Sequence, residues 1–253
     1  MNGQREVRIH TSVLAAVEKR CLIWMAHRLP AGVNSDHLTA LAAFAMLAAG
    51  LCYWLAPASP AVLWGAVLML CVNWFGDSLD GTLARVRHHE RPRYGFYVDH
   101  VLDAVGILFL IGGLVLGGFM SPMIGAAFLV AYYLLTNEIA LATHTVGTFR
   151  ISYWKFGPTE LRILLAAGTI QLLRSPDVSV FGVRLLLFDI GGAIAAAGLL
   201  ATFVISAVRN TRTLYRAEPL PRTAKPGIEL RSDVAPGLQA RQAGSEDPAR
   251  ARA

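Results

Sequence analysis

Apolar residues along this chain gather in six long runs, with polar residues confined to the short links between them. The runs fall at about residues 37–56, 60–82, 95–119, 122–146, 158–174 and 183–208, each near the ~20 residues an α-helix needs to cross a bilayer. The fifth is the shortest and opens on the charged stretch PTELR. Ahead of them, RIHTSVLAAVEKRCLIWMAHR (residues 8–28) places Val13, Leu14, Val17, Cys21, Trp24 and Met25 at helical spacing between charged positions. That period predicts an amphipathic helix lying on the membrane surface. Beyond about residue 217 no apolar period is sustained, and Pro, Ala, Gly and charge dominate. Such a composition predicts a disordered tail. The expected architecture is an all-α integral membrane protein: an N-terminal amphipathic juxtamembrane segment (1–36), a six-helix transmembrane domain (37–208) and a tail (209–253).

Charge then orients the helices. The chain is 55% hydrophobic and only 16% charged, with a net charge of +6. The basic residues sit in alternate links: the N-terminal helix, RVRHHERPRY after the second span, the link holding Arg150 and Lys155 after the fourth, and RNTRTLYR after the sixth. The intervening APASP and MSP links carry no charge, and RSPDVSVFGVR carries little. Positive charge marks the cytoplasmic side, so both termini are expected in the cytoplasm of a multi-pass cell-membrane protein. Basic flanks around apolar spans suit an anionic membrane, and no nucleic-acid partner is expected. Cys21, Cys52 and Cys71 are widely spaced and read as small apolar fillers, with neither a disulfide framework nor a zinc site. MNGQREVRIH lacks the short apolar core of a cleavable signal peptide.

Against this apolar background stand DSLDGTLAR (77–85) and GFYVDHVLD (95–103). Asp77 and Asp80 close the second span on its cytoplasmic side, and Asp99 and Asp103 open the third. Spacings of three and four residues put each pair on one helix face, and two antiparallel helices would bring the pairs together. Four carboxylates at close quarters repel one another unless a cation sits among them. An all-oxygen donor set suits Mg²⁺ or Mn²⁺, and also Ca²⁺, and does not suit zinc. Two such ions form a clamp suited to displacement at phosphorus. Gly81 and Ala84 leave room for a ligand to approach the backbone, and Arg85 offers a planar cation for phosphate oxygens. The plainer alternative pairs the acids with nearby arginines. A small cation transporter or a metal-binding scaffold would also use such a cluster, although a transporter would set it near mid-membrane.

The spacing D-x2-D-G-x2-A-R followed by G-x3-D-x3-D resembles the signature of the CDP-alcohol phosphotransferase family of phospholipid-synthesising membrane enzymes. The likeness extends over residues 8 to 208, in six spans preceded by an interfacial helix. One departure is visible: nine residues separate Arg85 from Gly95, where eight is usual, so a bulge is expected in the turn with the metal site intact. The resemblance implies that Asp77, Asp80, Asp99 and Asp103 hold two divalent ions, Mg²⁺ or Mn²⁺, and that Asp103 is the catalytic base. It implies that Asp77, Asp80, Gly81, Ala84, Arg85 and Gly95 bind the CDP moiety. The residues between 37 and 208 would then be the catalytic domain, with its site at the cytoplasmic face. The expected reaction moves a substituted phosphate from a CDP-alcohol to an acceptor hydroxyl and releases CMP. CDP-diacylglycerol with a soluble alcohol is the preferred pair, and CDP-choline or CDP-ethanolamine with diacylglycerol is the next.

Ionisable and amide groups inside spans are costly in lipid and are expected to face the bundle interior. Asn137, Glu138, Glu160 and Arg162, with Arg150 and Lys155 as further cations, are the candidate acceptor pocket. An interhelical hydrogen bond is the alternative for the first four. His88, His89 and Glu90 read as a solvated loop touching lipid phosphates, and Asp189 as structural. Gly113 and Gly117 form a GxxxG step that permits close helix packing, within the chain or between subunits. A homodimer is expected.

Overall fold

In the computed structural model, residues 15–145, 158–180 and 182–218 are described. They form seven α-helices and one hairpin: α1 (Ala15–Arg28), α2 (Ser35–Leu55), α3 (Val62–Val86), α4 (Pro92–Leu116), α5 (Pro122–Thr145), α6 (Pro158–Leu172), β1 (Asp177–Val180), β2 (Val183–Leu186) and α7 (Leu187–Ala217). The chain divides into two compact units, Met1–Leu214 and Tyr215–Ala253. Residues 215–218 of the second are described and complete α7 with one bend residue.

Five helices, α2, α3, α4, α5 and α7, are long and apolar enough to cross a membrane. Helix α6 has 15 residues, about 22 Å at 1.5 Å per residue, against a hydrocarbon core of ~30 Å. The last expected span is corrected at its start. Residues 183–186 pair antiparallel with 177–180 as a hairpin, and α7 begins only at Leu187. The run VSVFGVRLLL is rich in β-branched residues around a Gly182 with φ +83°, and these favour a turn between strands over a continuous helix. Large apolar side chains such as Phe44, Leu68, Phe109, Val130 and Ile194 are exposed on the outer helix faces, as lipid contact requires. The N-terminal turns of the expected amphipathic helix (residues 8–14) and the expected tail from 219 onward lie outside the described residues.

Helix α2 is the centre of the bundle and packs against both α3 and α4. Its start is fixed by a capping box in which the Asn34 side chain accepts from the His37 amide at 3.1 Å and the His37 ring accepts from the Asn34 amide at 3.4 Å. The contacts with its neighbours are made by bare backbone. A Cβ on Gly113 would stand 2.7 Å from the Gly50 Cα, and one on Gly50 would collide with the Phe109 carbonyl. A Cβ on Gly76 of α3 would stand 2.6 Å from the Leu38 carbonyl oxygen. The GxxxG step therefore packs within the chain. Gly113 faces Gly50, and Gly117 faces the Tyr53 carbonyl.

The far end of the bundle is tied by polar contacts. The Tyr53 and Thr169 hydroxyls lie 2.5 Å apart, joining α2 to α6. Phe188 of α7 packs edge-on against Tyr53, with ring centroids 6.3 Å apart. Asp189 accepts from the Ser121 amide at 2.6 Å, which joins α7 to the α4–α5 turn and fits the structural role expected of it. At the other end α1 lies along the C-terminal half of α3, through Leu22, Ala26, Leu38, Leu79 and Leu83. Trp74 donates to Glu18 at 2.9 Å, and Arg87 donates to the Leu29 and Pro30 carbonyls, both at 3.0 Å.

The turn between α3 and α4 closes by a left-handed residue. His88 has φ +56°, its amide reaches the Arg85 carbonyl at 3.2 Å, and the His89 amide reaches the Ala84 carbonyl at 2.9 Å. This is the Schellman arrangement, and Gly118 (φ +73°) closes α4 in the same way. The nine-residue interval from Arg85 to Gly95 is thus taken up by a helix cap, and α4 then starts at Pro92.

Two stability outcomes follow from this packing. Gly113→Ala is expected to cost about 1–3 kcal/mol by overpacking the α2–α4 contact. Gly112→Ala, whose Cβ would meet nothing within 4 Å, is expected to be neutral in the same unfolding titration in detergent. His88→Gly is expected to raise stability by about 1 kcal/mol, because glycine adopts the left-handed region without the penalty an L side chain incurs.

Candidate active site

Helices α3 and α4 deliver the four aspartates to one neighbourhood. Asp80 is 8% exposed and feels the charges of Asp77 and Asp99; Asp103 feels those of Asp77, Asp99, Asp80 and Arg162. The four acids thus lie within electrostatic reach of one another at the ends of α3 and α4 joined by the short turn. Asp99 and Asp103 both keep exposed surface.

Each acid of α3 is held by a partner far away in sequence. The Thr39 hydroxyl donates to Asp80 Oδ2 at 2.6 Å, and the Ser35 hydroxyl donates to the Asp80 carbonyl at 3.0 Å. The Gly81 amide donates to Asp80 Oδ1. Asp77 Oδ2 receives Arg162 Nη2 at 2.6 Å. Arg162 Nε donates to Asn73 Oδ1 at 2.7 Å, and the Asn73 amide donates to the Ala42 carbonyl at 3.0 Å. So α2 and α6 both reach into the cluster. Among the described residues no three acid, His or Cys side chains stand close enough to ligate one ion as they are turned here.

The other expected residues are distributed as follows. Arg85 is exposed and donates to the Thr82 hydroxyl at 3.1 Å, and a Cβ on Gly81 would just touch its guanidinium at 3.4 Å. Gly95 has open space where a Cβ would project. Ala84 lines a pocket of about 420 Å³ with Asn34, Asp36, Arg87, His89 and Arg91, where Arg91 pairs with Asp36. Glu138 is buried, and its Oε1 accepts from Asn210 of α7 at 2.7 Å, which is an interhelical hydrogen bond. Asn137, expected to face inward beside it, is exposed; neighbours on a helix point about 100° apart, and here only Glu138 falls on the buried face. Glu160 is half-buried in the first turn of α6. Arg150 and Lys155 lie outside the described residues.

Four residues at the cluster were not anticipated: Ser35, Thr39, Asn73 and Tyr132, the last within the field of Asp103, Asp77 and Arg162. Asn73 had a signal, a lone amide in the apolar run LMLCVNWF. The two hydroxyl residues had none, because α2 hydroxyls satisfy themselves on their own helix equally well.

A family model described as CDP-alcohol phosphatidyltransferase matches residues 33–207, which span α2 to α7 and well over half of the chain. The chain belongs to this family. It is accordingly a multi-pass membrane transferase of phospholipid biosynthesis, acting by transfer from a CDP-alcohol. No curated protein sequence matches it. Among solved structures it is similar in fold to the Mycobacterium tuberculosis phosphatidylinositol phosphate synthase (PgsA1) with CDP-DAG bound. The identity is 22% and the TM-score 0.50, over 81% of this chain and 99% of that one.

Thr39→Val keeps the shape and removes the donor to Asp80. A hydrogen bond to a charged group contributes about 1.5–3 kcal/mol, so CMP release from the CDP-alcohol is expected to fall about tenfold or more. Thr39→Ser is expected to retain it.

Proposed function

We propose that this enzyme transfers a substituted phosphate from CDP-diacylglycerol to the hydroxyl of a soluble alcohol at a divalent-metal centre built on Asp77, Asp80, Asp99 and Asp103. The observation that carries the proposal is that four acids from the adjoining ends of α3 and α4 lie within electrostatic reach of one another. Their donors are all hard oxygens, and one of them already holds a cation, the Arg162 guanidinium. Both features fit Mg²⁺ or Mn²⁺. When bound, such ions neutralise the diphosphate and polarise the phosphorus.

The residues of the chain do the rest. Arg85, exposed beside Gly81, is suited to grip the diphosphate oxygens, and Gly81, Ala84 and Gly95 leave the backbone open to the nucleotide. Asp103 takes the proton from the acceptor hydroxyl. The freed oxygen forms a bond to the β-phosphorus, the bond from that phosphorus to the bridging oxygen breaks, and CMP leaves with the electron pair. The neighbour solved with CDP-DAG supports a diacylglycerol-linked donor.

The reading includes the membrane topology. Arg85, Arg87, Arg91 and Arg93 cluster at the aspartate end, and the uncharged APASP and MSP links lie at the other. This supports a cytoplasmic site with cytoplasmic termini. Helix α6 bonds to Asp77 at one level and to Tyr53, near the end of α2, at another. That favours a sixth crossing despite its length. The exposed Trp24 and Ile23 of α1 support its lying at the interface.

The test follows CMP release from membranes given CDP-diacylglycerol, CDP-choline or CDP-ethanolamine with Mg²⁺ and a panel of acceptors. Asp103→Asn is expected to lower turnover by about 10²–10⁴-fold while CDP-alcohol binding stays within a few fold. Asp77→Asn is expected to lose both. Equal loss of binding in the two variants would refute the base assignment, and release with CDP-choline but not CDP-diacylglycerol would refute the donor.

A further inference from the structure

We propose that Arg162 is the resident counterion of the aspartate cluster. Its guanidinium holds Asp77 while no divalent ion is bound, and an arriving ion displaces it. The inference rests on the metal-site reading above and concerns what the chain itself supplies before the ion enters.

The ion pair is built for this. Arg162 comes from α6, 85 residues from Asp77, and its Nη2 donates to Asp77 Oδ2 at 2.6 Å. The two side chains are 17% and 34% exposed, so water weakens the attraction less than at a fully exposed pair. The guanidinium is also aimed from behind, since Nε donates to Asn73 and Asn73 is itself fixed on the Ala42 carbonyl. A guanidinium proton on Oδ2 uses a lone pair that a metal ligand must present. A divalent ion a few ångströms from the same fixed cation would be repelled by it. The two cations therefore compete for Asp77.

Asp80, by contrast, is held by uncharged donors, the Thr39 hydroxyl and the Gly81 amide, so Arg162 is the cation paired with an acid of α3. Without Arg162 the mutually repelling carboxylates would lose the cation paired with Asp77 and within electrostatic reach of Asp103. A long side chain that keeps some exposure can swing aside towards water when an ion takes its place, which a backbone amide cannot do. Arg162 is thus a positioning residue. It keeps Asp77 in place for the ion, and it weakens the ion's binding by having to leave.

The experiment measures Mn²⁺ binding by electron paramagnetic resonance, and thermal unfolding in EDTA and in Mn²⁺, on the purified full chain in nanodiscs. Arg162→Gln is expected to bind Mn²⁺ about tenfold more tightly than the unsubstituted protein, a difference of about 1.4 kcal/mol. In EDTA it is expected to unfold several degrees lower, with the gap closing in Mn²⁺. Arg162→Lys keeps the charge and loses the fork, so about a threefold gain is expected. It serves as the test should the glutamine variant fail to fold. In an Asp77→Asn background the EDTA penalty of Arg162→Gln is expected to vanish, which a merely structural arginine would not show. Unchanged or weaker Mn²⁺ binding in both Arg162 variants overturns the inference and leaves the metal site standing. An unsubstituted protein that binds no Mn²⁺ overturns the metal-site reading, and this inference with it.

Discussion

The close approach of α2 to its two neighbours is the constraint on which the site depends. Two helices can draw together to backbone contact only where neither presents a side chain, and in a bilayer no hydrophobic force compensates for a looser fit. Gly50 against Gly113 sets the α2–α4 distance, and Gly76 against Leu38 and Ala42 sets the α2–α3 distance. With α3 and α4 fixed on a common partner, their ends at the aspartate side have little freedom. Thr39, four residues into α2, then falls within 2.6 Å of Asp80. A methyl group added at Gly113 would act on the position of an acid on the other half of α4, through α2.

Charge decides which end of the bundle can hold the chemistry. Four carboxylates at mid-membrane would each lose hydration, with only one another for company. At the end of α3 and the start of α4 they have hydroxyl and amide donors, a guanidinium, and a basic turn that reaches water. The opposite end has no such need, and its polar contacts are neutral or local: Tyr53 with Thr169, Asp189 with a backbone amide. The charge asymmetry that orients the helices is thus the same one that makes the acids tolerable.

The spans and the aspartates were legible because their signals are local. A run of about twenty apolar residues needs no partner to be recognised, and an i, i+3 or i, i+4 pair of acids lies on one face whatever packs against it. What was not legible depends on distant pairing. Nothing near Thr39 indicates that its hydroxyl will meet an acid 41 residues on, and nothing near Arg162 indicates Asp77 rather than an acceptor. The hairpin at 177–186 was hidden by its own apolarity, since VSVFGVRLLL joins the next helix without a polar break. Asn137 and Glu138 are both costly in lipid, yet adjacent helical positions diverge, and the structure buries only Glu138.

The division between legible and illegible residues also has a physical basis in the packing. The four aspartates stand on α3 and α4, which are locked to α2 by glycine contacts and so require small residues at fixed intervals. Such intervals leave a readable pattern. Helices α5, α6 and α7 make polar contacts through side chains: Glu138 to Asn210, Arg162 to Asp77, Thr159 to Glu18. Side-chain contacts can be exchanged one at a time without moving a helix, so they impose no spacing on the sequence. The packing that fixes α3 and α4 is therefore written in periodic small residues, and the side-chain pairing of α5, α6 and α7 leaves no such period to read.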